Sequence, residues 1–76
     1  MPSLFITESL RSNIKINGDD VDVAGVSVIS YLAKANYELK HIVVELNDKI
    51  LPKSCYEQTV LKDGDVLEIV SFVGGG

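Results

Sequence analysis

Short apolar runs, each closed by a turn signal, set the rhythm of this chain. Ile14-Lys15-Ile16 alternates apolar and polar, Asn17-Gly18 follows, and Val21-Asp22-Val23 alternates again. Asn-Gly between alternating segments marks a β-hairpin, because both residues accept the positive φ of a type I′ turn. Asp19 and Asp20 are expected to lengthen its loop. After a break at Ala24-Gly25-Val26, Ser27 is placed to cap a helix by accepting a bond from a free backbone N–H. Val28, Leu32 and Ala35 follow helical spacing, with Ile29 and Ala33 beside them and Ser30, Lys34 and Glu38 on a more polar side. The spacing predicts one helix over Val28 to Tyr37, with Asn36 ending it in the left-handed conformation. Ile42 to Leu46 reads as a third strand with Ile42, Val44 and Leu46 on one side. Asn47-Asp48 makes a turn, and Lys49-Ile50-Leu51 is a short return strand stopped by Pro52, which cannot donate to a ladder. Ser54 to Thr59 is polar and irregular, with room for one helical turn. Lys62-Asp63-Gly64-Asp65 then turns the chain into an apolar run, Val66 to Val73, that reads as the last strand.

A helix that follows two strands must cover one face of a sheet, because its apolar stripe needs a partner. The expected fold is therefore α+β, a mixed sheet of four to five strands covered by one main helix. That order is similar to the β-grasp, or ubiquitin-like, architecture, and the resemblance implies that the first and last strands are parallel neighbours. Residues 13–73 would form the domain, 1–12 an N-terminal edge strand or arm, and 74–76 a glycine tail. In the last strand Glu68 should face out, so Val66, Val70 and Phe72 share its face while Leu67 and Ile69 point to the core. Exposed Val70 and Phe72 beside Glu68 make a small apolar patch of the kind that marks a protein interface. The competing reading has residues 1–12 or the chain end covering it.

Composition narrows the chemistry. Seventy-six residues make one small domain. Eleven acidic residues against seven basic give a net charge of −4, which argues against nucleic acid as a partner. No apolar run approaches a membrane span, and the N-terminus lacks the features of a secretory signal. The single Cys55 rules out an internal disulfide and fits a reducing, cytoplasmic setting. Cys55 has Lys53 nearby, His41 is the lone histidine, and neither has a catalytic companion in sequence. Asp19, Asp20 and Asp22 lack the glycine and distant glutamate of a calcium loop, so they read as solvated. Neither catalysis within this chain nor a bound metal or cofactor is expected.

The remaining feature is the end, Gly74-Gly75-Gly76. Fully extended, three glycines reach about 10 Å, and having no Cβ they can thread a narrow channel in another protein. Such a tail presents its carboxylate to a partner's active site, or else is a frayed terminus or linker remnant. Leu46-Asn47-Asp48-Lys49-Ile50-Leu51-Pro52, followed by Leu61-Lys62-Asp63-Gly64-Asp65 and the apolar strand into Gly74-Gly75-Gly76, resembles the ThiS family, the ubiquitin-like sulfur carriers of thiamin biosynthesis. Ile14 to Gly18 and Ser27 to Leu32 resemble that family's opening strand and helix start, so the likeness covers residues 13–76. Residues 1–12 depart from the pattern. Their Leu4-Phe5 and Leu10-Arg11 resemble the opening of the related MoaD family, although Phe72-Val73-Gly74 fits the thiamin branch better.

The resemblance implies that a ThiF-like adenylating enzyme, using ATP and Mg²⁺, activates the Gly76 carboxylate. Sulfur from a desulfurase system then gives a thiocarboxylate, which passes sulfur to a ThiG-like thiazole synthase. On that reading Gly76 is the modified residue and Gly75 is required because no Cβ fits beside ATP. Gly74 is a hinge, and Val66, Glu68, Val70, Phe72 and Val73 meet the partner. A MoaD-like sulfur carrier for molybdopterin synthase, a ubiquitin-like modifier joined through Gly76 to lysine, and a structural β-grasp domain are the other readings.

Overall fold

The computed structural model describes residues 13–73. The expectations for residues 1–12, as edge strand or arm, and for the tail of residues 74–76 lie outside them. Strands β1 (Ile14–Ile16) and β2 (Asp19–Val21) form the first hairpin. Its turn is Asn17-Gly18 alone, at φ 52° and 88°, the two positive values of a type I′ turn. Asp19 and Asp20 therefore belong to β2 instead of a longer loop, facing Ile16 and Lys15 in the ladder. A two-residue turn matches the twist of its strands, and Lys15 Nζ closes the pairing on Asp20 at 2.8 Å. The strand expected at Val21 to Val23 consequently starts and ends two residues early.

Helix α1 (Val28–Lys34) begins where Ser27 Oγ accepts from the Ser30 N–H. It stops short of the Tyr37 expected from apolar spacing. Asn36 stands at φ 65°, the Asn36 N–H reaches the Ala33 carbonyl, and the Tyr37 N–H reaches the Leu32 carbonyl at 3.0 Å. These two bonds make a Schellman ending, which satisfies the last carbonyls and turns the chain back. Seven residues are too few to hold a helix in water unaided. Its cap, this ending and the burial of Val28 and Leu32 against the sheet support it.

A 3₁₀ turn (Leu39–His41) leads into β3 (Ile42–Leu46), and Asn47-Asp48, at φ 54° and 69°, makes a second type I′ turn into β4 (Lys49–Leu51). A further 3₁₀ turn (Lys53–Cys55) follows Pro52, and the chain returns through Leu61 to β5 (Val66–Ser71). The five strands lie in the order β2-β1-β5-β3-β4, with β5 parallel to β1 and antiparallel to β3. This is the mixed β-grasp sheet under one main helix. The core lies between them: Ile14, Ile16, Ile42, Val44, Leu67 and Ile69 meet Val28 and Leu32.

Tyr56 and Leu61 complete that core, at 1% and 0% exposure. Tyr56 sits in the stretch that reads as polar and irregular, and its burial is not visible in the local pattern. The segment around it is held backbone to backbone on the helix start, with the Ile29 N–H donating to the Tyr56 carbonyl and the Val28 N–H to that of Thr59.

Candidate functional site

Alternation in β5 divides the strand cleanly. Leu67 and Ile69 are buried, while Val66, Glu68 and Val70 stand on the opposite, open face of the sheet. Register places Val43 directly across from Val70, Glu45 across from Glu68, and Ile50 across from Glu45. Val66 lies beside Lys15. The open face is thus a sheet surface with apolar Val43, Ile50, Val66 and Val70, all at least 38% exposed, around two glutamates.

Phe72 extends this strip beyond the ladder. The strand expected to run to Val73 ends at Ser71, because its neighbour β3 begins at Ile42, the residue opposite Ser71. One further bond, from the Phe72 N–H to the His41 carbonyl at 2.9 Å, holds the chain before it leaves. The His41 ring meets the Phe72 ring edge-on, with centroids 6.2 Å apart, and His41 Nδ1 lies 3.4 Å from Glu38 Oε1. Val73 is then 95% exposed. Nothing in the spacing of His41 and Phe72, thirty-one positions apart in sequence, points to this contact. Gly74, Gly75 and Gly76 follow outside the described residues.

Behind the root of β5 lies the one buried carboxylate among the described residues, Asp65. It accepts from Asn47 Nδ2 at 3.0 Å, from the Lys62 backbone N–H at 2.9 Å, and from Lys62 Nζ at 3.4 Å. Burial alone would raise its pKa. The bonds from Asn47 and Lys62 and the Lys62 charge outweigh burial and hold the carboxyl below its ordinary range. Asn47 Oδ1 in turn accepts from the Val66 N–H, so the β3–β4 turn fastens the start of the last strand. Asn17 Oδ1 does the same further along, accepting from the Ile69 N–H at 2.8 Å. Two turn asparagines therefore align the strand that carries the tail.

The other titratable groups lie elsewhere. Cys55 is half-buried in its 3₁₀ turn, and its carbonyl accepts from Thr59 Oγ1. Burial pushes the phenol of Tyr56 up. Among the described residues no group of three His, Cys, Asp or Glu side chains is placed to hold a metal ion, and no described helix is long and apolar enough to cross a membrane.

Comparison with known proteins bears on this arrangement directly. The model of the ThiS family matches residues 14–76. The chain is 40% identical over 67 residues to the sulfur carrier protein ThiS of Bacillus subtilis, covering 83% of this chain and 98% of that protein. It is 42% identical over 62 residues to a thiazole synthase of Paramagnetospirillum magneticum, covering 80% of this chain but spanning only 19% of that longer protein. Among solved structures, the crystal structure of a thiamine biosynthesis protein (ThiS) from Geobacter metallireducens superposes with a TM-score of 0.68 at 32% identity, covering 84% of this chain and 99% of that one.

Proposed function

Because this chain belongs to the ThiS family, the ubiquitin-like sulfur carriers of thiamin biosynthesis, we propose that Gly76 is the residue on which the sulfur travels. The observation that carries this reading is the span of the family match, which runs through the whole β-grasp domain and includes Gly74-Gly75-Gly76. A carboxylate is a poor acyl donor, since its leaving group would be oxide. An adenylating partner of the ThiF type, using ATP and Mg²⁺, converts the Gly76 carboxylate to an acyl-adenylate and releases pyrophosphate. The terminal sulfur of a donor persulfide attacks the acyl carbon and AMP leaves. A thiol then cleaves the resulting acyl disulfide, leaving the thiocarboxylate on Gly76 and a mixed disulfide on the donor. That sulfur is nucleophilic and passes to a thiazole synthase. The likeness of this chain to a segment of one thiazole synthase supports that acceptor.

Gly75 and Gly76 leave no Cβ in a crowded adenylation site, where the acyl carbon must lie against ATP. Val66, Glu68, Val70 and Phe72, with Val73 at the exit, dock the carrier on its partner. Their open face and the root of the tail lie along one strand, so docking there also aims the tail.

The test is an intact mass measured on the protein from its native host, with fragmentation. A fraction heavier by the difference between a sulfur and an oxygen atom, located to Gly76, is the expected result. A tail found only in amide linkage to lysines of other proteins would replace the carrier reading with that of a modifier. In vitro, deletion of Gly76 should leave thermal unfolding unchanged while abolishing ATP–pyrophosphate exchange with the cognate adenylating enzyme. Normal exchange by the deletion variant would sink the assignment.

A further inference from the structure

The open face of the sheet carries an electrostatic conflict that the fold does not need. Glu45 and Glu68 are direct partners in the antiparallel β3–β5 ladder, so their side chains leave the same face. Directly opposed residues hold their Cβ atoms about 5 Å apart, and like charges so placed destabilise a sheet. Neither carboxylate has a hydrogen bond or ion pair among the described residues. The cation among the strand residues of this face is Lys15, and Asp20 already holds it at 2.8 Å. Around the pair the surface is apolar: Val43 and Val70 face each other in one adjoining row, and Ile50, 69% exposed, lies beyond Glu45. Two unneutralised carboxylates sit side by side within apolar surface, about 13 Å of strand before the tail leaves at Phe72.

We propose that Glu45 and Glu68 together form a seat for an arginine side chain of the adenylating partner. A guanidinium fits because its fork of donors can bond both carboxylates at once, and because it is more weakly hydrated than an ammonium. Val43, Val70 and Ile50 would close over it against the apolar rim of the partner, excluding water and strengthening the charge-assisted bonds. In the free carrier the pair costs stability. In the complex it fixes register, so that the tail enters the channel beside ATP instead of sliding along the sheet. The inference rests on the docking role given to this face above, and it names what the partner must bring.

Steady-state ATP–pyrophosphate exchange, with the full chain and the adenylating enzyme of the same organism, tests it. Glu45→Gln and Glu68→Gln should each raise the KM for the carrier about tenfold while leaving kcat unchanged, the pattern of lost binding without lost chemistry. Glu57→Gln, which removes the same charge from an exposed position outside the sheet, should leave KM unchanged. The melting temperature of the isolated double variant should equal or exceed that of the parent, because a repulsion has been removed. Added salt should weaken binding of the parent more than binding of the double variant.

An unchanged KM in the double variant would overturn the proposal, as would a raised KM accompanied by a lower melting temperature. A rise of the same size in Glu57→Gln would overturn it too, because net charge would then explain the effect. The two readings fail differently. A parent protein that supports no exchange refutes the carrier chemistry and this seat with it. Exchange that depends on Gly76 but ignores Glu45 and Glu68 refutes the seat alone.

Discussion

At the scale of single residues, the asparagines and one aspartate do most to define the molecule. Asn17, Asn36 and Asn47 all take positive φ, and each ends one element so that the next can begin. Their turn roles are legible in sequence because the preference is local to the residue. What Asn17 and Asn47 do with their side chains is not. The bonds to Ile69 and Val66 span 52 and 19 positions, and only the folded topology brings those groups together. Asp65 is of the same kind, readable as part of a turn but not as a buried hub. Because its folded pKa lies below the unfolded value, its contribution is present above the ordinary carboxylate range and is lost as pH falls through the folded value. The urea midpoint of the parent should therefore fall on acidification below about pH 4. Asp65→Asn should lose about 1–3 kcal/mol at neutral pH, by leaving its donors unmatched, and show a shallower acid slope.

Among the elements, β5 was the most readable. Its strict alternation predicts the burial of Leu67 and Ile69 and the exposure of Glu68 and Val70, as the structure shows. Its end was less so, since a strand lasts only as long as its neighbour, and β3 starts at Ile42. Apolar spacing likewise overextends α1, because it contains no information about the Schellman bonds that close the helix after Lys34. The segment before β5 hid a core residue, Tyr56, among polar neighbours, where burial comes from long-range backbone bonds and not from any period. Tyr56→Ala should cost about 3–5 kcal/mol, a large share of what so small a domain has, and circular dichroism should report a largely unfolded chain at physiological temperature. Val70→Asp makes the opposite case. With Val70 57% exposed, the variant should fold normally while its KM for exchange with the adenylating enzyme rises.

Across the whole molecule, the order of the strands ties stability to delivery. The β-grasp arrangement was legible because a hairpin, a helix and three further strands have few ways to bury every apolar stripe, and because their order resembles that known architecture. The exposure of Val66, Glu68 and Val70 on one face followed from the alternation of β5, while the His41–Phe72 contact beyond that strand depended on the register of β3 and β5 and emerged only with the fold. That register also has a mechanical meaning. The tail grows from β5, the middle strand of five, which is bonded along one edge to β1 and along the other to β3. When a partner grips the tail while the sheet face stays docked, the load runs along β5, and both flanking ladders resist together in shear. An edge strand under the same load would peel away one bond at a time. On the proposed function, in which the chain end enters one enzyme and then another, anchoring that end in the middle of the sheet would spread each pull over both flanking ladders.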